Sequence, residues 1–234
     1  SGYLRGKTIY LPKSFDYFYP NDIRVEKFVV DKENPKLFSD DFGAVYKKNV
    51  KTSFYSVSER KWIYVTGQIL HKAPYKSTAE TFVVAEGTVC LDQGACYDGC
   101  FERIIVPEGC EYALDGNFDH LSGCKYIELP STLKYFSMYS PNGDSQIETV
   151  LRAKEVPKTD INNTFYQCGH VTLYVPKESL EKYQADSRYK GKFKEIKAIP
   201  NNVDVNGDGK VNSADVTTVY NYIANPEATG LTLD

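Results

Sequence analysis

Ile104-Ile105-Val106-Pro107 is one of several short β-type runs that end in Pro. The later runs are Tyr126-Ile127-Glu128-Leu129-Pro130, Lys154-Glu155-Val156-Pro157 and Leu173-Tyr174-Val175-Pro176. From Pro107 to Pro176 the chain advances by three units of about 23 residues, and Phe82-Val83-Val84-Ala85-Glu86-Gly87 matches one unit upstream. Units of this length, each with one strand and one turn, bury their apolar faces only by stacking. The spacing therefore predicts a solenoid.

A second marker keeps the same phase. A large apolar residue stands three positions before Cys100, Cys124 and Cys168. Zinc sites usually contain close Cys pairs, so the shared repeat position favours small buried thiols in the solenoid interior over a metal site. Cys90, Cys96 and Cys110 fall outside this phase, and a single disulfide among them is open if the chain is secreted.

Composition restricts the class of protein. The 234 residues carry a net charge of -3, which argues against a nucleic-acid partner, and the many aromatic residues favour strands. The longest apolar stretch, around Trp62-Ile63-Tyr64-Val65, is far shorter than the roughly 20 residues of a membrane span. The chain begins Ser1-Gly2 without Met, as expected for a secreted or cell-surface chain whose signal peptide has been removed.

These repeats resemble the BspA-like leucine-rich repeat family, with Tyr, Phe, Ile and Val in place of much of the Leu. Thr8-Ile9-Tyr10-Leu11-Pro12-Lys13-Ser14 carries the strand-Pro signature. Residues 25–35 and 41–46 are similar to that family's insert with an extra hairpin. The resemblance covers residues 8–199, keeps the pattern poorly over 50–78, and implies an α/β repeat solenoid, a β-rich leucine-rich repeat fold, over residues 1–199.

A capping element at the C-terminal end of the repeats is also predicted. Residues 177–185 are helix formers in which Leu180 and Tyr183 stand one turn apart. Residues 194–199 alternate as a last strand before Pro200. Together they would supply the polar capping element that the open end of a solenoid needs.

Residues 204–215, Asp-Val-Asn-Gly-Asp-Gly-Lys-Val-Asn-Ser-Ala-Asp, fit the EF-hand calcium loop, with Gly209 at the sharp turn. Helical spacing of apolar residues follows at once over 216–223, which an ordinary acidic turn does not require. The oxygen donors predicted for Ca²⁺ are Asp204, Asn206, Asp208, the Lys210 backbone carbonyl, Asn212 through a water, and Asp215.

Asp at the last loop position, Asn at the ninth, and no helix ahead of the loop resemble type I dockerins. The resemblance implies a cohesin-like protein as partner, read in part by Ser213 and Ala214. Type I dockerins carry two loop-helix segments, whereas residues 200–234 hold one, apparently one half of a duplicated module. Either the chain is a truncated form, or a half-module works differently.

No catalytic motif is present, and His71, His120 and His170 are isolated in the sequence. Tyrosines inside strand-Pro runs, such as Tyr126 and Tyr174, are expected in the core. The aromatic residues expected at a binding surface are Tyr17, Phe18, Tyr19, Tyr135, Phe136 and Tyr139.

The sequence thus indicates a non-catalytic, secreted or cell-surface bacterial protein. The family resemblance implies that its solenoid binds a host matrix protein or a glycan, and that its calcium-dependent tail attaches to a cohesin-type partner. The alternative is a carbohydrate-binding component of a polysaccharide-degrading assembly. A hydrolase with an unrecognised site is the third possibility.

Overall fold

The computed structural model of the chain describes residues 4–19, 23–75, 80–139, 141, 146–159 and 164–200. The chain divides into two units between Ala198 and Ile199, and every strand of the described residues belongs to the first unit. These strands are β1 (Leu4–Leu11), β2 (Ile23–Val30), β3 (Leu37–Ser39), β4 (Val45–Ser56), β5 (Lys61–Lys72), β6 (Glu80–Val83), β7 (Thr88–Leu91), β8 (Phe101–Ile105), β9 (Tyr112–Ala113), β10 (Tyr126–Leu129), β11 (Tyr135–Phe136), β12 (Ile147–Leu151), β13 (Val171–Val175) and β14 (Glu195–Ala198).

Three sheets are present within the described residues. The ladder sheet has the order β14-β13-β12-β10-β8-β6, and all its strands are parallel. The hairpin sheet has the order β11-β9-β7-β5-β4-β3, in which β3, β4 and β5 are antiparallel and the rest parallel. The strands β1 and β2 form a separate parallel pair. The architecture is a β-solenoid of about 8 turns, which confirms the predicted repeat fold.

One row of paired residues runs through the ladder sheet and carries the repeat. Ile104 pairs with Ile127, and Ile127 with Thr149, so equivalent residues recur about every 23 positions. The side chains in this row are buried except at its end, where Ile196 is partly buried. In chain order the row is Phe82, Ile104, Ile127, Thr149, Leu173 and Ile196.

The Pro157 run was assigned wrongly from the sequence. Residues 154–157 are not a strand, and β12 occupies that place in the ladder sheet. Lys158 instead forms a parallel bridge with Tyr135 of β11. An apolar residue followed by Pro therefore occurs beside both sheets, which explains why Pro157 lies 27 residues after Pro130 and 19 residues before Pro176, while the ladder strands recur about every 23 residues.

Residues 50–78, where the repeat pattern is weak, contain most of a long antiparallel hairpin. The strands β4 and β5 have 12 residues each and meet at a turn over residues 57–60. Only the inner end of β5 pairs with β7, from Gln68 to Leu70. We call the outer half of the hairpin, residues 49–66, the arm.

The predicted cap is confirmed. A 3₁₀ turn over Lys177–Ser179 leads into helix α1 (Leu180–Ala185), and the buried Tyr183 hydroxyl donates to the Ala153 carbonyl at 2.8 Å. The strand β14 ends the ladder sheet with exposed side chains at Glu195 and Lys197. Charged side chains on an edge strand disfavour the addition of further strands.

All six cysteines lie within the described residues, and each is a free thiol. The disulfide left open among Cys90, Cys96 and Cys110 is therefore not formed. Cys124 and Cys168 are buried as expected, whereas Cys100 is only half-buried. Burial raises the pKa of Cys124 and of Cys168 to about 12, so these thiols are protonated and unreactive packing groups at neutral pH.

Candidate functional site

The predicted calcium loop lies outside the described residues. This applies to all its proposed ligands and to the two proposed partner-reading positions, which are Asp204, Asn206, Asp208, Lys210, Asn212, Asp215, Ser213 and Ala214. In the part of the chain that the structure describes, no group of three or more His, Cys, Asp or Glu residues could hold a metal ion. The assignment of these residues stays a prediction.

His71, which belongs to no sequence motif, has partners in the folded chain. Its buried ring has Nδ1 3.0 Å from the Asp92 carboxylate and Nε2 3.0 Å from the Phe18 carbonyl oxygen. Lys47 donates to the same Asp92 oxygen at 2.5 Å. Burial acts to raise the pKa of Asp92, but the hydrogen bonds from His71 and Lys47 outweigh it and lower that pKa. The group ties the segment around Phe18 to the hairpin sheet.

The aromatic residues expected at the surface divide into two sets. Tyr17, Tyr19 and Tyr139 are exposed, as predicted. The prediction was wrong for three others, which are buried: Phe18, Tyr135 and Phe136. Tyr126 and Tyr174, expected in the core, are half-buried on the outer face of the ladder sheet.

On that outer face the aromatic and charged side chains contact and hydrogen-bond one another. The Arg103 guanidinium lies 4.1 Å from the ring centroid of Tyr126, whose hydroxyl donates to Glu128 at 2.9 Å. Arg152 donates to Glu128 from two nitrogens. Burial and the bond to Glu128 raise the pKa of Tyr126 to about 12. Since its groups are already paired, this face offers few free contacts to a ligand.

The underside of the arm is anchored to the hairpin sheet. The Phe54 ring contacts Tyr112 and Tyr135 at centroid distances of 5.7 and 5.3 Å. At the tip, the Glu59 carboxylate accepts hydrogen bonds from Tyr135 and Lys158, which lower the pKa of Glu59 to about 2. Tyr135 is buried because the arm covers it.

A cleft of about 340 Å³ lies beside this anchor. Ile63 and Tyr112 belong to its apolar lining, and Glu59, Lys134 and Lys158 to its charged lining. Both acids of its lining are already paired, because Glu59 binds Tyr135 and Lys158 and Glu155 binds Lys182. The cleft is therefore part of the attachment of the arm.

The outer face of the arm carries exposed aromatic side chains. Tyr55 pairs across the hairpin with Trp62, and Ser53 pairs with Tyr64. The exposed fractions are 47% for Tyr55, 58% for Trp62 and 64% for Tyr64. Lys51 places its Nζ 5.2 Å from the Tyr64 ring centroid. We call Tyr55, Trp62 and Tyr64 the aromatic strip.

The strip was not predicted from the sequence, although the sequence contains a signal for it. Trp62, Ile63, Tyr64 and Val65 were considered only as an apolar stretch too short to cross a membrane. Successive side chains of a strand point to opposite faces, so Trp62 and Tyr64 share one face, while Ile63 and Val65 share the packed face. Within the described residues no helix is long and apolar enough to span a membrane.

Comparison with known proteins identifies the tail by sequence. Residues 194–233 match the sequence profile of the dockerin type I domain. Type I dockerin domains are calcium-binding modules, and dockerin domains bind cohesins. None of the curated proteins compared matches the chain.

Comparison with solved structures identifies the fold of the rest. A leucine-rich cell-surface protein from Faecalibacterium prausnitzii A2-165 superposes with a TM-score of 0.52 at 12% identity, over 83% of this chain and 48% of that one. A leucine-rich repeat protein from Eubacterium ventriosum gives a TM-score of 0.45 at 15% identity, over 82% and 57%. The chain spans about half the length of these proteins. It therefore joins a solenoid with the fold of bacterial leucine-rich repeat proteins to a type I dockerin segment at residues 194–233.

Proposed function

We propose that the protein is a secreted or cell-surface, non-catalytic attachment protein. In this proposal residues 1–199 form a binding solenoid, and residues 200–234 form a calcium-dependent module that attaches it to a cohesin-type partner. The observation that carries the proposal is the match of residues 194–233 to the dockerin type I domain, which contains the calcium-loop sequence.

Calcium binding follows from the donors of the loop. Asp204, Asn206 and Asp208 would give side-chain oxygens, and Asp215 would close the shell. The Lys210 carbonyl and a water held by Asn212 would supply the remaining ligands. Bound Ca²⁺ would offset two of the three negative charges of Asp204, Asp208 and Asp215, whose repulsion otherwise opposes folding of the loop.

The cohesin-type partner would be recognised by residues beside the calcium site. Ser213 and Ala214 occupy the loop positions that, in type I dockerins, help to recognise the cohesin. Both side chains are small, which fits close approach of another protein backbone. The solenoid would serve adhesion to a protein or to the extracellular matrix.

A second candidate function is favoured by the aromatic strip. Exposed aromatic rings on a rigid strand pair also suit a carbohydrate-binding component of a polysaccharide-degrading assembly. The two candidates share the tail and differ in the ligand of the solenoid, so they are separated by testing the solenoid alone.

Calorimetry with CaCl₂ on chelator-treated protein tests the tail. We expect saturable binding that disappears in Asp204→Ala/Asp208→Ala. The matched control is Asp41→Ala, which removes an exposed acid of the solenoid and should leave calcium binding unchanged. Equal binding by the loop variant and the wild type would refute the assigned ligands.

Capture on an immobilised type I cohesin tests the partner. We expect capture in CaCl₂, none in EDTA, and weaker capture of Ser213→Asp/Ala214→Asp with normal calcium binding. Undiminished capture of that variant would refute the role of the two residues in recognition. Release of reducing sugar from any polysaccharide would overturn the non-catalytic assignment.

A further inference from the structure

The aromatic strip is held rigidly by contacts on the opposite face of the arm. The Tyr55 and Trp62 rings meet edge to face at a centroid distance of 5.7 Å. Beneath them, Phe54 packs on the rings of the hairpin sheet, and the Ser58 hydroxyl donates to the Thr159 carbonyl at 2.6 Å. Since these contacts hold the strand pair in place before a ligand arrives, binding need not order the backbone of the arm.

The charge around the strip is positive. Residues 49–66 contain more basic residues than acids, and their one acid is Glu59, although the whole chain has a net charge of -3. The carboxylate of Glu59 is turned to the underside, where Lys158 and Tyr135 bind it. Lys51 and Arg60 are exposed. Lys51 therefore places a cation beside the rings, and Arg60 adds an exposed cation in the turn that ends the arm, with no free acid of the arm to oppose them.

The size of the strip argues against a protein partner. At about 150–250 Å² for each aromatic side chain, three rings exposed by roughly half offer about 300 Å². A stable protein interface needs about 800 Å² from each side. The three rings lie on one face of a two-stranded hairpin, with Tyr55 opposite Trp62 and Tyr64 two residues further along its strand. A patch of this width instead suits a narrow ligand, and the polar residues Ser53 and Thr66 lie on the same face.

We propose that the aromatic strip binds an acidic polysaccharide, with the rings stacked on sugar faces and Lys51 and Arg60 paired with carboxylates of uronic-acid units. The proposal deepens the carbohydrate-binding candidate function above and rests on it. The apolar face of a sugar ring is flat and matches an aromatic ring, while charge complementarity selects an acidic chain over a neutral one.

Affinity electrophoresis in gels that contain polygalacturonate, with hydroxyethyl cellulose as the neutral probe, tests this proposal. We expect polygalacturonate to retard the wild-type protein and Trp62→Ala to bind more than tenfold more weakly. Lys51→Gln/Arg60→Gln should bind polygalacturonate several-fold more weakly and with less dependence on salt. The matched control is Tyr10→Ala, which removes a tyrosine of β1 that is 75% exposed and should bind like the wild type.

Three outcomes would overturn the proposal. Equal retardation by the neutral probe would exclude the acidic class, and unchanged binding by Trp62→Ala would exclude the strip. If polygalacturonate does not retard the protein and a matrix protein such as collagen binds it instead, the function of the solenoid is protein adhesion. The gels are run in EDTA, and the calcium titration is done on the same preparation. Loss of calcium binding by the tail and loss of polysaccharide binding by the strip are therefore detected separately.

Discussion

Tyr126 of the ladder sheet and Tyr64 of the arm are both outward-facing tyrosines of a strand, but their surroundings differ. Tyr126 is half-buried beneath Arg103 and bonded to Glu128. Tyr64 is 64% exposed, and the contact that it makes with Lys51 leaves most of its ring free. In the ladder sheet the neighbouring strand supplies Arg103 as a partner of Tyr126, whereas the arm has no neighbouring strand over its outer face among the described residues.

The difference between the surroundings of Tyr126 and Tyr64 indicates where a ligand can bind on this solenoid. The aromatic and charged groups around Tyr126 on the ladder sheet are already paired with one another, whereas the arm, which departs from the repeat, exposes three aromatic side chains. Changes in the ladder sheet should therefore alter stability, and changes on the outer face of the arm should alter binding.

Truncation of the ladder core should give the largest change in stability. Ile127 is fully buried between Ile104 and Thr149, so Ile127→Ala removes packing and leaves a cavity. We expect a loss of about 3 kcal/mol in the free energy of unfolding, measured with urea. Trp62→Ala, on the exposed face of the arm, should cost less than about 0.5 kcal/mol. Similar losses for both variants would remove the distinction between scaffold and arm.

Gly67→Ala should disturb the junction between the arm and the sheet. Gly67 has φ +148°, and a Cβ there would lie 2.7 Å from Cγ2 of Val89. We expect a cost of about 1–3 kcal/mol and faster hydrogen exchange in the arm. Gly169→Ala is the matched control, because a Cβ at Gly169 meets nothing within 4 Å. A stable variant with a protected arm would contradict the role of Gly67.

Thr149→Val should stabilise the ladder core. Thr149 is fully buried, and its hydroxyl has no hydrogen-bond partner among the described residues. Valine keeps the shape and removes the desolvated hydroxyl, so we expect a gain of about 1 kcal/mol in urea unfolding. Thr66→Val, on the exposed face of the arm, should change stability by less than about 0.5 kcal/mol. A destabilised Thr149→Val would mean that the hydroxyl is satisfied.

Acid should release the tip of the arm only at very low pH. Because the pKa of Glu59 falls from 4.5 to about 2 on folding, its contribution is complete above pH 4.5 and is lost as the pH falls through about 2. Fluorescence anisotropy of Trp62 should therefore stay constant from about pH 7 to about pH 4 and fall near pH 2. In Glu59→Gln the step should be absent. A transition of the wild type between about pH 4 and about pH 5 would contradict this anchor.

The repeat could be predicted from sequence because it is local and periodic. The spacing of the strand-Pro runs and the phase of Cys124 and Cys168 predicted a solenoid with buried thiols in its interior. The misassigned Pro157 run shows the limit, since a Pro after an apolar residue does not tell which sheet the run joins.

The arm could not be predicted from the repeat, because an antiparallel hairpin does not keep the period of about 23 residues. The burial of Tyr135 depends on Glu59 and Phe54, and Glu59 is 76 residues away in the chain. Such tertiary contacts leave no mark on the local sequence around Tyr135. The calcium ligands, in contrast, come from one continuous motif and were assigned residue by residue, and they stay a prediction.

Whether the arm binds polysaccharide independently of the tail can be measured by the fluorescence of one residue, because Trp62 is the one Trp in the sequence. Polygalacturonate is titrated into the wild type and into Asp204→Ala/Asp208→Ala, in EDTA, while Trp62 emission is recorded. The account predicts a saturable blue shift with the same dissociation constant in both proteins. Emission that does not change while the polysaccharide binds, or binding that requires calcium, would contradict it.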